Sequence, residues 1–297
     1  MNYKMVGFVL GRIFLIEAAL MLFPMGCAAI YGEWSVVLSF LWPALIVLAL
    51  GLITSLRTPQ NTKIYARDGL AIVALVWVLM SVFGAMPFVI SGEIPSFVDA
   101  FFETVSGFTT TGSTILTDVE ALSHGTLFWR SFSHWVGGMG VLVFAMAVLP
   151  MTDGRAMHLM RAEVPGPTCG KISSKLSDSA KILYAIYLVM TVIETILLCA
   201  GGMPLFDALI HAFGTAGTGG FSNKALSVGA YNSPYFEIVI GVFMLLFGRP
   251  VTIDELRLTL RADSCSCCCL ALTLTCIISC CCVISVRRSP PRRCTST

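Results

Sequence analysis

Two short apolar segments, each followed by a loop rich in threonine and glycine, limit the folds open to this chain more than any other feature. Residues 96–108 lead into Thr110–Ser113, and residues 204–214 lead into Thr218–Phe221. A helix of about 13 residues covers only about 20 Å, well short of the roughly 30 Å hydrocarbon core of a bilayer. Each segment is therefore predicted to enter and leave a membrane on the same side, or to lie at its interface.

The composition predicts an all-α polytopic membrane protein. Of 297 residues, 56% are hydrophobic and 12% are charged, about half the charged fraction of a typical soluble domain. The net charge of +2 and the absence of a basic run interleaved with aromatics give no indication of a nucleic-acid partner. Stretches apolar and long enough to span a bilayer are predicted at 6–23, 35–56, 69–90, 126–150, 180–201 and 234–248, with a seventh at 264–286. The first could resemble a secretion signal, but no clear cleavage site follows it, so it is interpreted as a retained helix.

The distribution of charge predicts the orientation. With a cytoplasmic N-terminus and both short segments re-entrant from outside, the cytoplasmic loops contain Arg57, Lys63, Arg67, Arg155, Arg161, Lys171, Lys175 and Lys181, and the outer loops contain only Arg130 and Lys224. This agrees with the positive-inside rule. The outer loops also collect Glu33, Glu93, Asp99, Glu103, Asp118 and Glu120. They are interpreted either as an acidic mouth that concentrates cations or as ordinary solvated loops.

An internal repeat with an offset of 108 residues organises the chain. Asp99–Ala100 matches Asp207–Ala208, and Thr110 and Gly112 match Thr218 and Gly220. Each unit is predicted to run helix, short re-entrant helix, Thr/Gly loop, helix. The predicted organisation is a two-helix segment at 1–58, a first pore-loop repeat at 69–160, a cytoplasmic linker at 161–179, a second and incomplete repeat at 180–248, and an atypical tail at 249–297.

The two loops have residues suited to a dehydrated cation. Irregular backbone exposes carbonyl oxygens that can replace a hydration shell, and glycine lets successive carbonyls point the same way. Neither loop contains a carboxylate, which favours a monovalent ion held by carbonyls and threonine hydroxyls. The alternative for each loop is a plain Gly/Thr-rich turn between helices. Binding of phosphate at Gly214–Gly220 is disfavoured because no Lys-Ser/Thr follows the glycines.

Three motifs, at residues 107–113, 129–140 and 161–167, resemble the bacterial TrkH/TrkG potassium uptake family in order and spacing. The resemblance implies an inner-membrane potassium translocation subunit rather than an enzyme, with K⁺ as the transported ion, by channel-like or coupled (symport) transport, and no cofactor. It implies a two-helix N-terminal piece before four pore-loop repeats. It also implies a homodimer that works on a cytoplasmic nucleotide- and NAD-binding ring protein. The implied potassium-coordinating positions are Thr110, Thr111, Gly112, Ser113, Thr218, Gly219, Gly220 and Phe221.

The chain departs from the family pattern after Gly248. Only two of the four repeats are recognisable, and the tail contains nine of the twelve cysteines together with Arg287–Arg293. The tail is interpreted as out-of-frame or disordered. A transition-metal site there is disfavoured because the C-x-x-C pair of Cys265 and Cys268 has no second well-spaced pair or histidine. The alternative function is therefore a non-conducting fragment that only inserts or assembles. An intramembrane enzyme has no supporting constellation of residues.

A few polar residues in apolar surroundings are further candidates. Arg130, at the outer start of a span, either supports the filter loops by donating to their carbonyls or is a snorkelling interfacial arginine. Glu194 and Glu17 lie within spans, where a charge is costly, so they are expected to be paired, protonated or on the ion path. The four histidines show no ligand spacing and are interpreted as structural or interfacial.

Overall fold

The computed structural model describes residues 2–56, 59, 66–140 and 176–248. These residues form helices and connecting loops without a β-strand, which confirms the predicted all-α class. In chain order the helices are α1 (Tyr3–Leu20), α2 (Leu22–Ile30), α3 (Trp34–Ser55), α4 (Ala66–Ser91), α5 (Phe97–Phe108), α6 (His124–Gly138), α7 (Leu176–Ala200), α8 (Leu205–Ala216), a short 3₁₀ turn (Ser227–Tyr231) and α9 (Pro234–Phe247).

Four segments are long and apolar enough to cross a membrane. They are Tyr3–Ile30, Trp34–Ser55, Arg67–Ser91 and Leu183–Ala200, and they correspond to the predicted spans at 6–23, 35–56, 69–90 and 180–201. The first is longer than predicted because α2 continues α1 after a break at Met21. Pro24 accounts for this break, since it has no N–H to donate to the carbonyl of Leu20 four residues earlier.

The other predicted spans are described in part or not at all. Of 126–150, the structure describes α6, which ends at Gly138. The predicted span 234–248 forms α9, which has 14 residues and is therefore about 21 Å long, short of a full crossing. The stretch 264–286, the cysteine-rich tail and most of the predicted linker lie outside the described residues.

The two short apolar segments form short helices. α5 and α8 have 12 residues each. α8 begins 108 positions after the start of α5 and ends 108 positions after its end. Each has an aspartate in its first turn, Asp99 or Asp207, where a negative charge complements the helix dipole. At about 18 Å neither can span a bilayer, as the sequence predicts. Their C-terminal ends lead directly into the two Thr/Gly loops.

Small residues and one buried tryptophan determine how the helices pack. α1 lies close against α3 at Gly11, because glycine has no Cβ. A Cβ at this position would collide with the side chain of Thr54. Trp129 of α6 is 1% exposed, and its indole N–H donates to the carbonyl oxygen of Gly84 on α4 at 2.9 Å. Gly137, where a Cβ would collide with the carbonyl of Phe108, allows α6 to pack against the end of α5. α6 is thus held between the first short helix and α4.

Two of the acidic residues that the sequence assigns to outer loops cap α6. The carboxylate of Glu33 accepts hydrogen bonds from the backbone N–H of His124 at 3.0 Å and of Gly125 at 3.1 Å, and lies 2.9 Å from Nδ1 of His124. Glu93 accepts from the N–H of Ser123 at 3.2 Å. These carboxylates bind the free N–H groups of a helix start rather than only facing water. Partial burial raises the pKa of Glu33, but the hydrogen bonds from His124 and Gly125 outweigh it and leave the pKa below its ordinary value.

Glu33→Gln is expected to make stability less dependent on pH. A carboxyl whose pKa is lowered by folding contributes stability above its unfolded pKa, about 4.3, and loses that contribution as the pH falls through the lower, folded value. The substitution should cost about 1 kcal/mol at pH 7, as for loss of a helix cap, and the difference from wild type should vanish at low pH. Thermal unfolding in detergent from pH 7 to pH 3 measures this, and a constant difference across that range would contradict it.

Candidate functional site

The two Thr/Gly loops have the same backbone hydrogen bonds at matching positions. We define loop 1 as Thr109–Thr114 and loop 2 as Gly217–Ser222. The N–H of Thr110 donates to the carbonyl of Gly107 at 3.0 Å, and the N–H of Thr218 donates to the carbonyl of Thr215 at 2.8 Å. Two residues later, the N–H of Gly112 donates to the carbonyl of Ser106 at 3.5 Å, and the N–H of Gly220 donates to the carbonyl of Gly214 at 3.1 Å. Every one of these pairs keeps the offset of 108 found in the sequence.

The loops also share an unusual backbone conformation. Thr110 and Thr218 have positive φ angles of 55° and 57°, and Gly112 and Gly220 have φ angles of 74° and 79°. Glycine adopts this left-handed region freely, whereas a β-branched residue there is strained by about 1–2 kcal/mol. Strain of this kind persists only where the surrounding structure imposes it, and it clusters at functional sites. Two threonines strained in the same way, one in each loop, therefore mark these loops as a candidate site.

The fold brings the predicted residues of the two loops into contact. A Cβ on Gly112 would collide with the carbonyl of Gly219, and a Cβ on Gly219 would lie 2.7 Å from the carbonyl oxygen of Thr110. Thr110–Ser113 and Thr218–Phe221 thus lie side by side, although 108 residues separate them in the sequence. Their assignment as ion ligands stays a prediction.

At the last predicted position of each loop the carbonyl is directed toward the loop's own short helix. The carbonyl oxygen of Ser113 accepts a hydrogen bond from the hydroxyl of Ser106 at 2.6 Å. The carbonyl oxygen of Phe221 occupies the space beside Gly214, the position that matches Ser106. The remaining predicted carbonyls, those of Thr110 to Gly112 and of Thr218 to Gly220, come before Ser113 and Phe221 in the sequence of each loop.

A side chain on each short helix holds the hydroxyl of the last residue of the loop. Glu103 on α5 accepts hydrogen bonds from the hydroxyl of Thr114 at 2.9 and 3.0 Å and from the N–H of Ile115 at 3.1 Å. His211 on α8, 108 residues later, lies with Nε2 3.1 Å from the hydroxyl of Ser222. Glu103 is 0% exposed, so the interpretation of it as part of an ordinary solvated loop is wrong, and its charge is paired with Arg130 rather than presented at an acidic mouth. Its carboxylate supports loop 1 from behind.

Arg130 connects the two loops. Its Nε lies 2.5 Å from Oε1 of Glu103, and its Nη1 donates to the carbonyl of Ser222 in loop 2 at 2.9 Å. The guanidinium carbon also lies 3.7 Å from the ring centre of Phe221, a cation–π contact. At 3% exposed, Arg130 is not a snorkelling interfacial side chain. The contacts from Thr114 through the buried side chains of Glu103 and Arg130 to the carbonyl of Ser222 therefore tie loop 1 to loop 2.

His134, predicted to be structural or interfacial, also contacts loop 2 directly. It is 0% exposed, and a Cβ on either Gly217 or Gly219 would collide with its ring. Its ring centre lies 4.7 Å from that of Phe221, and neither ring nitrogen has a hydrogen-bond partner among the described residues. The sequence contained a signal for this contact. Residues four apart share one face of a helix, so His134, four residues after Arg130, lies on the same face of α6 as Arg130.

The remaining candidates lie away from the loops or serve other roles. Glu194 on α7 is fully buried beside Thr215 of α8, and Glu17 on α1 is fully buried as well. Asp207 accepts from Asn223 at 2.5 Å and from the hydroxyl of Tyr231 at 2.7 Å, and so anchors the segment after loop 2. Within the described ranges no cluster of three or more His, Cys, Asp or Glu side chains could hold a metal ion.

Comparisons with known proteins identify a matching family model and similar sequences. The family model for TrkH, described as a cation transport protein, matches residues 36–253. The Trk system potassium uptake protein TrkH of Salmonella typhimurium is 37% identical over 254 residues, which cover 84% of this chain and 52% of that protein. The Trk system potassium uptake protein TrkG of Escherichia coli is 35% identical, with coverage of 82% and 51%.

A solved structure is similar as well. The crystal structure of the potassium transporter TrkH from Vibrio parahaemolyticus superposes with a TM-score of 0.69 at 30% sequence identity, and the match covers 83% of this chain and 50% of that one. The chain therefore spans about half the length of the curated relatives it matches.

Proposed function

The chain belongs to the TrkH family of cation transport proteins, and from this premise we propose that loops 1 and 2 form part of a potassium-selective ion path across a membrane. The family is one of transporters, so the chain is not an enzyme. In the proposal, the ion is held by backbone carbonyls and threonine hydroxyls of Thr110, Thr111, Gly112, Thr218, Gly219 and Gly220. Ser113 and Phe221, whose carbonyls lie against α5 and α8, complete the predicted set at the end of each loop.

The observation that carries the proposal is the matched pair of strained loops lying in contact. Gly112 and Gly220, with φ angles of 74° and 79°, allow carbonyls within one loop to point toward a common axis. Several such oxygens can replace the hydration shell of K⁺. α5 and α8 end at the loops, so the partial negative charge of each helix C-terminus favours a cation there.

The charge behind the loops supports a monovalent ion. The carboxylate of Glu103 accepts hydrogen bonds from Thr114 of loop 1, and Arg130 balances its charge at 2.5 Å. Neither loop contains an acidic residue of its own. A site built from carbonyl dipoles without net charge suits K⁺ better than a divalent cation, which calls for charged oxygen ligands.

The family resemblance supplies the remaining parts of the proposal. We infer a multi-pass protein of the bacterial inner membrane with its N-terminus in the cytoplasm. Its partners would be the lipid bilayer, a second copy in a homodimer and a cytoplasmic nucleotide- and NAD-binding ring protein. The predicted ranges 1–58, 69–160, 161–179, 180–248 and 249–297 belong to the same proposal.

Expression in a bacterial strain that lacks its own potassium uptake tests this function. If the proposal holds, the chain restores growth at low external potassium and takes up ⁸⁶Rb⁺, and excess K⁺ suppresses the uptake more strongly than excess Na⁺. An inactive transporter of another type expressed at the same level is the control. Insertion into the membrane without growth or uptake would refute transport and support the alternative, a non-conducting fragment, which is favoured by the match to only half of each relative.

A further inference from the structure

The imidazole of His134 contacts three alternate residues of loop 2. Its Cδ2 occupies the place that a Cβ on Gly217 would take, and its Nε2 occupies the corresponding place on Gly219. The centre of the ring lies 4.7 Å from the ring centre of Phe221. One planar side chain from α6 therefore lies against most of the length of loop 2.

Two glycines of loop 2 are explained by this ring rather than by the backbone. Gly220 has a positive φ of 79°, but neither Gly217 nor Gly219 has a positive φ, so their backbone would accept a side chain. At the matching positions loop 1 has Thr109 and Thr111. The atoms that lie closest to the missing Cβ groups at 217 and 219 both belong to the imidazole. Loop 2 thus differs from loop 1 where the ring needs space.

Gly219 is also the residue at which loop 2 meets loop 1. The place of its missing Cβ lies 2.7 Å from the carbonyl oxygen of Thr110, and its own carbonyl fills the place of a Cβ on Gly112. Nε2 of His134 and the carbonyl oxygen of Thr110 therefore adjoin the same point of loop 2. The imidazole lies at the junction of two carbonyls that are predicted ion ligands, those of Thr110 and Gly219.

A ring at this junction fixes the position of Gly219. The helix that carries the ring is itself held in place, because the indole N–H of Trp129 on α6 donates to the carbonyl of Gly84 at 2.9 Å. Closely packed interiors have few voids and transmit displacements. A smaller side chain at position 134 would give the backbone at Gly219 room to move, and the carbonyls of Thr110 and Gly219 would then change their separation.

We propose that His134 is the positioning residue that sets the separation of loops 1 and 2, and through it the preference of the ion path among alkali cations. Its role is indirect, because the imidazole contacts the backbone of the loops. A site built from carbonyls discriminates between ions through its size or through the number and field strength of its oxygens, and both change when Gly219 moves. The positioning stands on these contacts alone, whereas the effect on ion preference rests on the proposed function.

A double-mutant cycle on the full chain in detergent tests the positioning without any ion. Gly219→Ala places a methyl group against the imidazole, so it should raise the unfolding constant about fivefold or more. In a His134→Ala background the increase should be at least about threefold smaller, because the two residues are in contact. If His134→Ala does not fold, His134→Ser serves as the background. Gly11→Ala, which collides with Thr54 at the contact of α1 with α3, is the matched control and should have the same effect in both backgrounds.

Uptake of ⁸⁶Rb⁺ in competition with Na⁺ tests the effect on ion preference. His134→Ala should lower the preference for Rb⁺ over Na⁺ about tenfold, as for loss of a side chain that orients ligands. The change should appear in the ratio of the KM values for the two ions more than in the maximal rate. His134→Gln, which offers a planar amide of similar reach, should restore most of the preference. His124→Ala, in the first turn of the same helix, is the control and should leave the preference unchanged.

The two measurements separate this inference from the proposed function. Effects of Gly219→Ala that are equal in both backgrounds would overturn the positioning. A coupled cycle with an unchanged ion preference in His134→Ala would overturn the role in specificity, since a purely structural side chain lowers the amount of active protein and not its preference. A coupled cycle in a chain that takes up no ⁸⁶Rb⁺ would support the positioning and refute the transport function, together with the effect on ion preference.

Discussion

Arg130→Ala is expected to destabilise the protein by about 3–5 kcal/mol, the cost of removing one partner from a buried ion pair. The substitution leaves the Glu103 carboxylate, which is 0% exposed, without its cation. It also removes the donor to the carbonyl of Ser222, which links loop 2 to loop 1. An uncompensated charge in a buried setting is more costly than the loss of the attraction itself, because the charge keeps its full desolvation penalty.

Unfolding in detergent, followed by tryptophan fluorescence, measures this loss. Lys224→Ala is the matched control, because Lys224 forms a partly exposed pair with Glu120 at 3.6 Å, and such pairs contribute about 0–1 kcal/mol. Replacing both members, as Arg130→Met with Glu103→Leu, should recover part of the stability, since no buried charge then remains. A loss for Arg130→Ala no greater than that for Lys224→Ala would show that the pair does not hold the loops together.

Gly112→Ala is expected to be considerably more harmful than Gly220→Ala, although both glycines take the same backbone conformation. Each substitution places a Cβ on a residue with positive φ, 74° at Gly112 and 79° at Gly220, at a cost of about 1–2 kcal/mol. At Gly112 the new Cβ also collides with the carbonyl of Gly219, whereas at Gly220 no atom of the described residues lies within 4 Å. Displacement of backbone to relieve such overpacking adds about 1–3 kcal/mol.

The two variants therefore separate strain within a loop from contact between the loops. The free energy of unfolding should be lower than that of wild type in both variants. It should be lowest for Gly112→Ala, by the additional cost of the collision with Gly219. If the chain transports K⁺ as proposed, Gly112→Ala should also reduce the preference for Rb⁺ over Na⁺ more than Gly220→Ala does, because it moves the carbonyl of Gly219. Equal losses of stability in both variants would indicate that the loops do not touch in solution.

Some features of this protein follow from local sequence patterns alone. The 12-residue length of α5 and α8 and the glycines at Gly112 and Gly220 are properties of contiguous segments. A short apolar segment cannot span a bilayer whatever surrounds it, and glycine is favoured wherever φ is positive. The offset of 108 is visible by comparing the chain with itself. For this reason the all-α class and the position of the two loops could be predicted from the sequence.

The contacts that support the loops required the tertiary structure. Arg130 and Ser222 are 92 residues apart, and Glu103 and Arg130 are 27 residues apart. No periodicity relates them, because which helix faces meet depends on packing across the whole bundle. The sequence therefore left Arg130 with two interpretations and grouped Glu103 with the acids of an acidic mouth or of solvated outer loops.

The sequence by itself determined that two short helices end in glycine-bearing loops, because bilayer thickness and backbone sterics act on each segment separately. The tertiary structure decided that the loops touch, that Thr110 and Thr218 are strained alike, with φ angles of 55° and 57°, and that Arg130 and His134 of α6 contact loop 2. Such outcomes depend on the packing of α6 against both short helices, α5 and α8. This packing brings together side chains that are distant in the sequence, and no local pattern encodes it.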